Sequence, residues 1–158
     1  MTEIDYTSSA LIEEKRQALL AFDKDFPFFK LMGIQIISVE PGRSRLGMAW
    51  REDLCQPAGI MHGGAIASLV DTAIAHSILL TPAYLEAFDV GRLLVSVDLR
   101  IKYLRPVSGG KIHCDAQVTR MGRQIIHTSA VVCNEEGKEV AYGDAIYMMI
   151  SGRQIQKK

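Results

Sequence analysis

A chain of 158 residues, 48% hydrophobic and 23% charged, has the length and balance of one folded domain with a sizeable core. That excludes intrinsic disorder for most of it. Eighteen basic residues against eighteen acidic ones leave a formal net charge of zero, which excludes nucleic-acid binding through bulk electrostatics.

The polar, acidic start MTEIDYTSSALIEEKRQ lacks the make-up of a signal peptide. Residues 9–24 predict an amphipathic helix with Ser8 or Ser9 as N-cap, its apolar face carrying Leu11, Ile12, Leu19, Leu20 and Phe22. Pro27 breaks it. This extension, about residues 1–30, is expected to cap whatever pocket the domain forms. Residues 33–40 and 43–50 predict a hairpin turning at Pro41-Gly42, and 51–61 a loop. A helix over 63–80 follows, closed by Pro82, then a linker over 81–90.

Residues 58–80 are apolar and nearly long enough to span a bilayer. But Asp71 near the middle, with His62 and His76 on either side, makes this a helix buried in protein. From Val95 the next strand, 93–103, alternates. Val97, Leu99, Ile101 and Tyr103 fall on one face, and Ser96, Asp98, Arg100 and Lys102 on the other. A turn at Pro106–Gly110 precedes strands over 111–120, 124–133 and 138–149. Met121-Gly122-Arg123 and residues 134–137 connect them, and a polar tail covers 151–158.

The element order lacks βαβ alternation, which excludes a parallel Rossmann-type sheet. One α+β domain over 1–158 is expected, with a mainly antiparallel sheet wrapped on one long helix. That helix is apolar nearly all round, and one sheet covers only one side, so a symmetric dimer is expected. Cys55, Cys114 and Cys133 are odd in number and form no CxxC, which argues against a disulfide framework and for a reducing cytoplasm.

His62-Gly63-Gly64 opens the long helix. Two glycines admit close approach to the backbone, and free N–H groups with the helix dipole would stabilise a carbonyl oxygen becoming an oxyanion. A glycine-rich entry chosen for tight packing explains the same residues. Asp71 lies nine residues after His62, among Leu69, Val70, Ala73 and Ile74. There it acts as a base or is bonded to a hydroxyl such as Ser68 or Thr72, or to a partner chain. Within one helix Gly63 and Asp71 lie about 12 Å apart by rise, too far for one reacting centre. An antiparallel pair of such helices would join them. The four histidines show no metal-ligand spacing, so no metal is expected. Arg123, Lys102 and Arg105 are candidates for phosphate contacts. Met48, Met61, Met148 and Met149 are candidates for an adaptable apolar pocket.

The segments QPAGIMHGGAIASLVDTAIA (56–75) and VSVDLRIKYLRP (95–106) resemble the PaaI-type acyl-CoA thioesterases of the hotdog fold, over roughly residues 33–149. The resemblance implies a curved antiparallel sheet around a central helix, here with an added N-terminal helix. It implies dimers or dimers of dimers with sites at the dimer interface, and an acyl-CoA substrate with no metal or redox cofactor. By residue, it implies that Gly63 N–H polarises the thioester carbonyl. Asp71 of the facing subunit is base or nucleophile. Gln56 orients the carbonyl or water, His62 positions the loop and thioester, and Ser96 helps hold the attacking water. Gly64 and Arg123 are the substrate-binding candidates. The chain combines the Gln of the Glu-type branch with the Asp and strand Ser of the other. A hotdog hydratase or dehydratase and a non-catalytic acyl-CoA binding module are the alternatives.

Overall fold

A computed structural model describes residues 4–152. Helices α1 (Ser9–Asp25) and α2 (Pro27–Met32) precede the hairpin β1 (Gln35–Glu40) and β2 (Arg43–Ala49). A loop with a short 3-10 turn leads to α3 (Gly63–Leu79) and α4 (Pro82–Asp89). Four long strands follow: β3 (Arg92–Tyr103), β4 (Lys111–Met121), β5 (Ile125–Asn134) and β6 (Glu139–Ser151). They form one antiparallel sheet in the order β1-β2-β4-β5-β6-β3, curved around α3. This is the expected hotdog fold.

The core lies between α3 and the inner face of the sheet. Leu69, Val70, Ile74 and Ile78 of α3 are fully buried against Leu46, Ile112, Ile126 and Val132. Each such side chain contributes about 1.5–3 kcal/mol. Close approach is built in at Gly143 on β6, where a Cβ would sit 3.4 Å from Val70 and 2.7 Å from the Arg100 carbonyl. Ser44 of β2 donates to the Ala73 carbonyl at 2.6 Å, satisfying its buried hydroxyl.

Three expectations change. The sheet wraps further round α3 than a flat layer would. The α3 residues left incompletely buried are Gly63, Gly64, Ala67, Ser68, Asp71, Thr72 and Ala75, all small or polar, with Leu79 at the helix end as the one large apolar side chain. Pro27 ends α1 but also starts α2, because its fixed φ and missing N–H suit the first helical position. The supposed linker 81–90 is helix α4. Thr81 caps it by accepting from Tyr84 N–H, and Pro82 stands in its first turn. Of the predicted tail, residues 153–158 lie outside the described residues.

Helix α1 docks away from the start of α3. Asp23 and His76 meet at 3.0 Å with side chains only 6% and 7% exposed. His76 lies thirteen residues into α3, about 20 Å from Gly63 by rise. Arg16 donates to the Val39 carbonyl at 2.9 Å, and Tyr6 to Asp89 at 2.9 Å. Phe22 of the predicted apolar face is 64% exposed, so α1 is only partly covered. No single helix among the described residues is long and apolar enough to cross a membrane, and α3 and α4 are bent by 83° relative to each other.

Candidate active site

The first turn of α3 is set by His62. Its Nδ1 accepts from Gly64 N–H at 2.8 Å, and its carbonyl accepts from Ala65 and Ile66 at 2.9 and 3.3 Å. With Nδ1 accepting, the other ring nitrogen carries the proton. Gly63 N–H is left as the amide of that turn without a partner among the described residues. Both glycines also answer to packing. A Cβ on Gly64 would lie 2.9 Å from His62 Nδ1, and one on Gly63 would lie 3.2 Å from Tyr103 Cζ. Tyr103 donates to the Gly63 carbonyl at 2.9 Å, so β3 fixes the helix start.

Gln56 is half-buried in the loop before His62. The loop is braced by Gln56 N–H to the Ile60 carbonyl at 2.9 Å, His62 N–H to Leu54 at 2.8 Å and Met61 N–H to Val107 at 2.8 Å. Gly59 supplies the positive φ of 78° that its turn requires. Gln56 and Gly63 share a groove of about 400 Å³ with Ile60, Met61, Ile66 and Tyr103. No residue of α1 lines it, so the expected cap is not over this groove.

Asp71 belongs to a second cluster, about 12 Å further along α3. The expected hydroxyl partners are turned elsewhere: Ser68 donates to the Gly64 carbonyl at 2.9 Å and Thr72 to the Ser68 carbonyl at 2.7 Å. Tyr147 of β6 takes their place, its hydroxyl 2.5 Å from Asp71 Oδ1 and 2.9 Å from the Asp71 carbonyl. Burial, then the hydrogen bond to Asp71 and its charge, push the Tyr147 phenol far above its ordinary value. It therefore stays protonated and remains a donor.

Ser96 stands directly opposite Tyr147 in the β3–β6 pair. Residues so paired share a face with Cβ atoms roughly 4.5–5.5 Å apart, so Ser96 lies on the helix side. This corrects the alternation read from sequence. A bulge between Ser96 and Asp98 reverses the parity, so Ser96 shares a face with Leu99, Ile101 and Tyr103. Val97, expected with them, is 56% exposed.

Arg123 lies in neither cluster. Together with Arg92, Arg120 and His127 it lines a separate groove of about 670 Å³ that no acidic side chain lines. Lys102, 5.3 Å over the Tyr142 ring, lies outside that groove, and Arg105, which donates to the Glu139 carbonyl, lines the Gln56–Gly63 groove instead. Met48, Met61 and Met149 are buried in the core, with Met61 also bordering the Gln56 groove. Both His76 nitrogens face oxygens, Nδ1 the Thr72 carbonyl at 2.8 Å and Nε2 Asp23, so none is free for a ligand. Tyr147 escaped the sequence reading. A signal existed: it falls on the inward face of β6 after Ala141, Gly143 and Ala145, where a phenol needs a polar partner.

The model of the thioesterase superfamily matches residues 58–141. The chain belongs to that superfamily. It is 30% identical over 138 residues to acyl-coenzyme A thioesterase 13 of Homo sapiens, covering 85% of this chain and 94% of the relative. It is 31% identical over 107 residues to the proofreading thioesterase EntH of Klebsiella pneumoniae, covering 68% and 74%. The structure of the E. coli PaaI protein from the phenylacetic acid degradation operon superposes with a TM-score of 0.77 at 26% identity, covering 90% of this chain and 97% of that one. The chain is thus a thioester hydrolase of the PaaI-like hotdog type.

Proposed function

We propose that this thioesterase hydrolyses acyl-CoA to CoA and a free carboxylic acid, at sites built from two copies of the chain. Gly63 N–H and Gln56 of one protomer hold the thioester carbonyl, within a loop positioned by His62. Asp71 of the other takes a proton from a water held with Ser96, and the water oxygen attacks the carbonyl carbon. The carbonyl oxygen gains charge against the amide and the helix dipole. Collapse breaks the C–S bond, and the proton on Asp71 passes to sulfur, giving the CoA thiol and the acid. No resident metal or redox cofactor enters these steps, so dialysis against EDTA should leave the rate unchanged.

The observation that carries the reading is the pair of half-sites on one helix: a bare amide at Gly63 and a carboxylate at Asp71, about 12 Å apart. A rigid helix cannot bring them together, whereas an antiparallel partner helix can. The stripe Gly64, Ala67, Ser68 and Ala75 around Asp71 is small enough for close helix contact. Strand β3 ends the sheet with twelve residues and an open edge, which supports pairing with the same strand of a partner. The groove of Arg92, Arg120, Arg123 and His127 suits the CoA phosphates, and acyl-CoA is the substrate class named in the human relative. Three free thiols fit a reducing cytoplasm.

The test is thiol release from a panel of acyl-CoAs by the wild type and by Asp71→Asn. Release that is lost in a folded Asp71→Asn variant supports the reading. Acyl-CoA binding without release from any member of the panel would overturn it in favour of a binding module.

A further inference from the structure

We propose that Tyr147 is a positioning residue, its hydroxyl fixing one oxygen of Asp71 so that the other is presented to water. This rests on the reading of Asp71 as the base.

An aspartate side chain turns about two bonds, and a base that turns is aligned only part of the time. Tyr147 removes that freedom. Its ring is buried on β6 between Ile126 of β5 and Ser96 of β3, so the hydroxyl has a fixed place. The phenol carries one hydrogen and faces two acceptors. The Asp71 carboxylate at 2.5 Å is nearer and charged, and the Asp71 carbonyl lies at 2.9 Å, so the carboxylate takes the hydrogen. Asp71 Oδ2 has no protein partner among the described residues.

Packing alone does not account for the hydroxyl. A phenylalanine would fill the same space, and both acceptors within reach of the hydroxyl belong to Asp71. Nor do the neighbouring hydroxyls serve, since Ser68 and Thr72 are committed to carbonyls of their own helix. The register adds a second point. Tyr147 and Ser96 are cross-strand partners on the helix side, which puts the serine beside the residue that donates to Asp71. The bulge after Ser96 is what keeps the serine there.

The experiment measures kcat and KM for thiol release by the full chain as Tyr147→Phe, Asp71→Asn and the double variant. Tyr147→Phe should lower kcat about 10- to 100-fold, the cost of a misaligned base, with KM within about twofold. Read on the slow residual release of Asp71→Asn at high enzyme concentration, it should cause no further loss in that background, because the group it positions is gone. An equal loss in both backgrounds would make the role purely structural and overturn the proposal. Full activity of Tyr147→Phe beside a dead Asp71→Asn would also overturn it while leaving Asp71 as base. Full activity of Asp71→Asn would instead overturn the reading of Asp71. Should Tyr147→Phe fail to fold, 3-fluorotyrosine at 147 keeps the shape and strengthens the donor. The acidic limb of the pH–rate profile should then move to lower pH, and an unmoved limb overturns the proposal.

Discussion

Gly63→Pro removes an amide N–H from the site and changes little else. Gly63 is the first residue of α3, where a proline costs no intrahelical hydrogen bond. His62 before it already sits at φ −63° and ψ 136°, the extended conformation that a following proline demands. The ring does meet one neighbour. A Cβ at this position lies 3.2 Å from Tyr103 Cζ and 3.3 Å from its hydroxyl, so Tyr103 must yield by a few tenths of an ångström. Gly63→Ala imposes the same Cβ crowding and keeps the N–H, so the ratio of the two variants reports the lost donor together with the ring carbons that replace it. Loss of one oxyanion donor lowers kcat by about 10²–10³, roughly 3–4 kcal/mol of transition-state stabilisation. Gly63→Pro should therefore fall about 10²–10³ below Gly63→Ala in thiol release at saturating acyl-CoA, with matching circular dichroism. A proline variant within about threefold of the alanine one would refute the assignment, since the carbonyl would then be held by another donor such as Gln56.

Mixing Asp71→Asn with Gly63→Pro, each inactive alone, should restore about a quarter of wild-type activity once subunits exchange. Half of the dimers are then mixed, and half of their sites are whole. No recovery despite proven exchange would show that Gly63 and Asp71 do not serve one shared site. Arg123→Glu should raise KM for acyl-CoA about tenfold with little change in kcat, and leave a short pantetheine thioester unaffected; equal effects on both would sink the phosphate assignment. Stability should fall in alkali. Burial holds the Cys114 thiol above its ordinary 9.0, and burial with Asp71 holds Tyr147 above 10.0, so the unfolded chain releases those protons first. This contribution is fully present below about pH 9 and is lost as pH rises, and Cys114→Ala with Tyr147→Phe should flatten the urea midpoint between about pH 9 and 11. An identical decline in that double variant would assign it elsewhere. Asp23→Ala strips the hydrogen-bond partner from buried His76 and should cost about 1–3 kcal/mol in urea unfolding while thiol release persists; a change in acyl chain-length preference would give α1 a part in the pocket.

The parts of this protein legible in its sequence are those set by a single helix. The 3.6-residue period and the fixed rise place Gly63, Asp71 and the distance between them without reference to anything else. The Gly-Gly entry, the Pro41-Gly42 turn and the succession of elements along the chain follow from equally local chemistry. What stayed hidden depends on register between strands. Ser96 was assigned to the outer face because alternation presumes an unbroken ladder, and one extra residue at Val97 inverts it. Helix α4 was a different case. Thr81-Pro82 carries a start signal, but eight residues bounded by turns read equally well as a linker. The Asp23–His76 pair joins residues 53 apart in sequence, and no local pattern encodes it.

The same division bears on catalysis. Because Gly63 and Asp71 are fixed on one rigid helix, nothing within the protomer adjusts their separation. In the proposed dimer, the distance between donor and base at each site is set wholly by how two α3 helices pass one another. Gly64, Ala67, Ser68 and Ala75 beside Asp71 are small, which would let that passage be close, and the open edge of β3 would set its height in the proposed dimer. Tyr147 then removes the remaining freedom, the rotation of the carboxylate itself. In the proposed site, backbone geometry would set the amide, the interface the gap, and one phenol the base. A mismatch at any of the three would leave the fold intact and the chemistry slow, which is why these positions, rather than the larger apolar core, are where activity and stability should come apart.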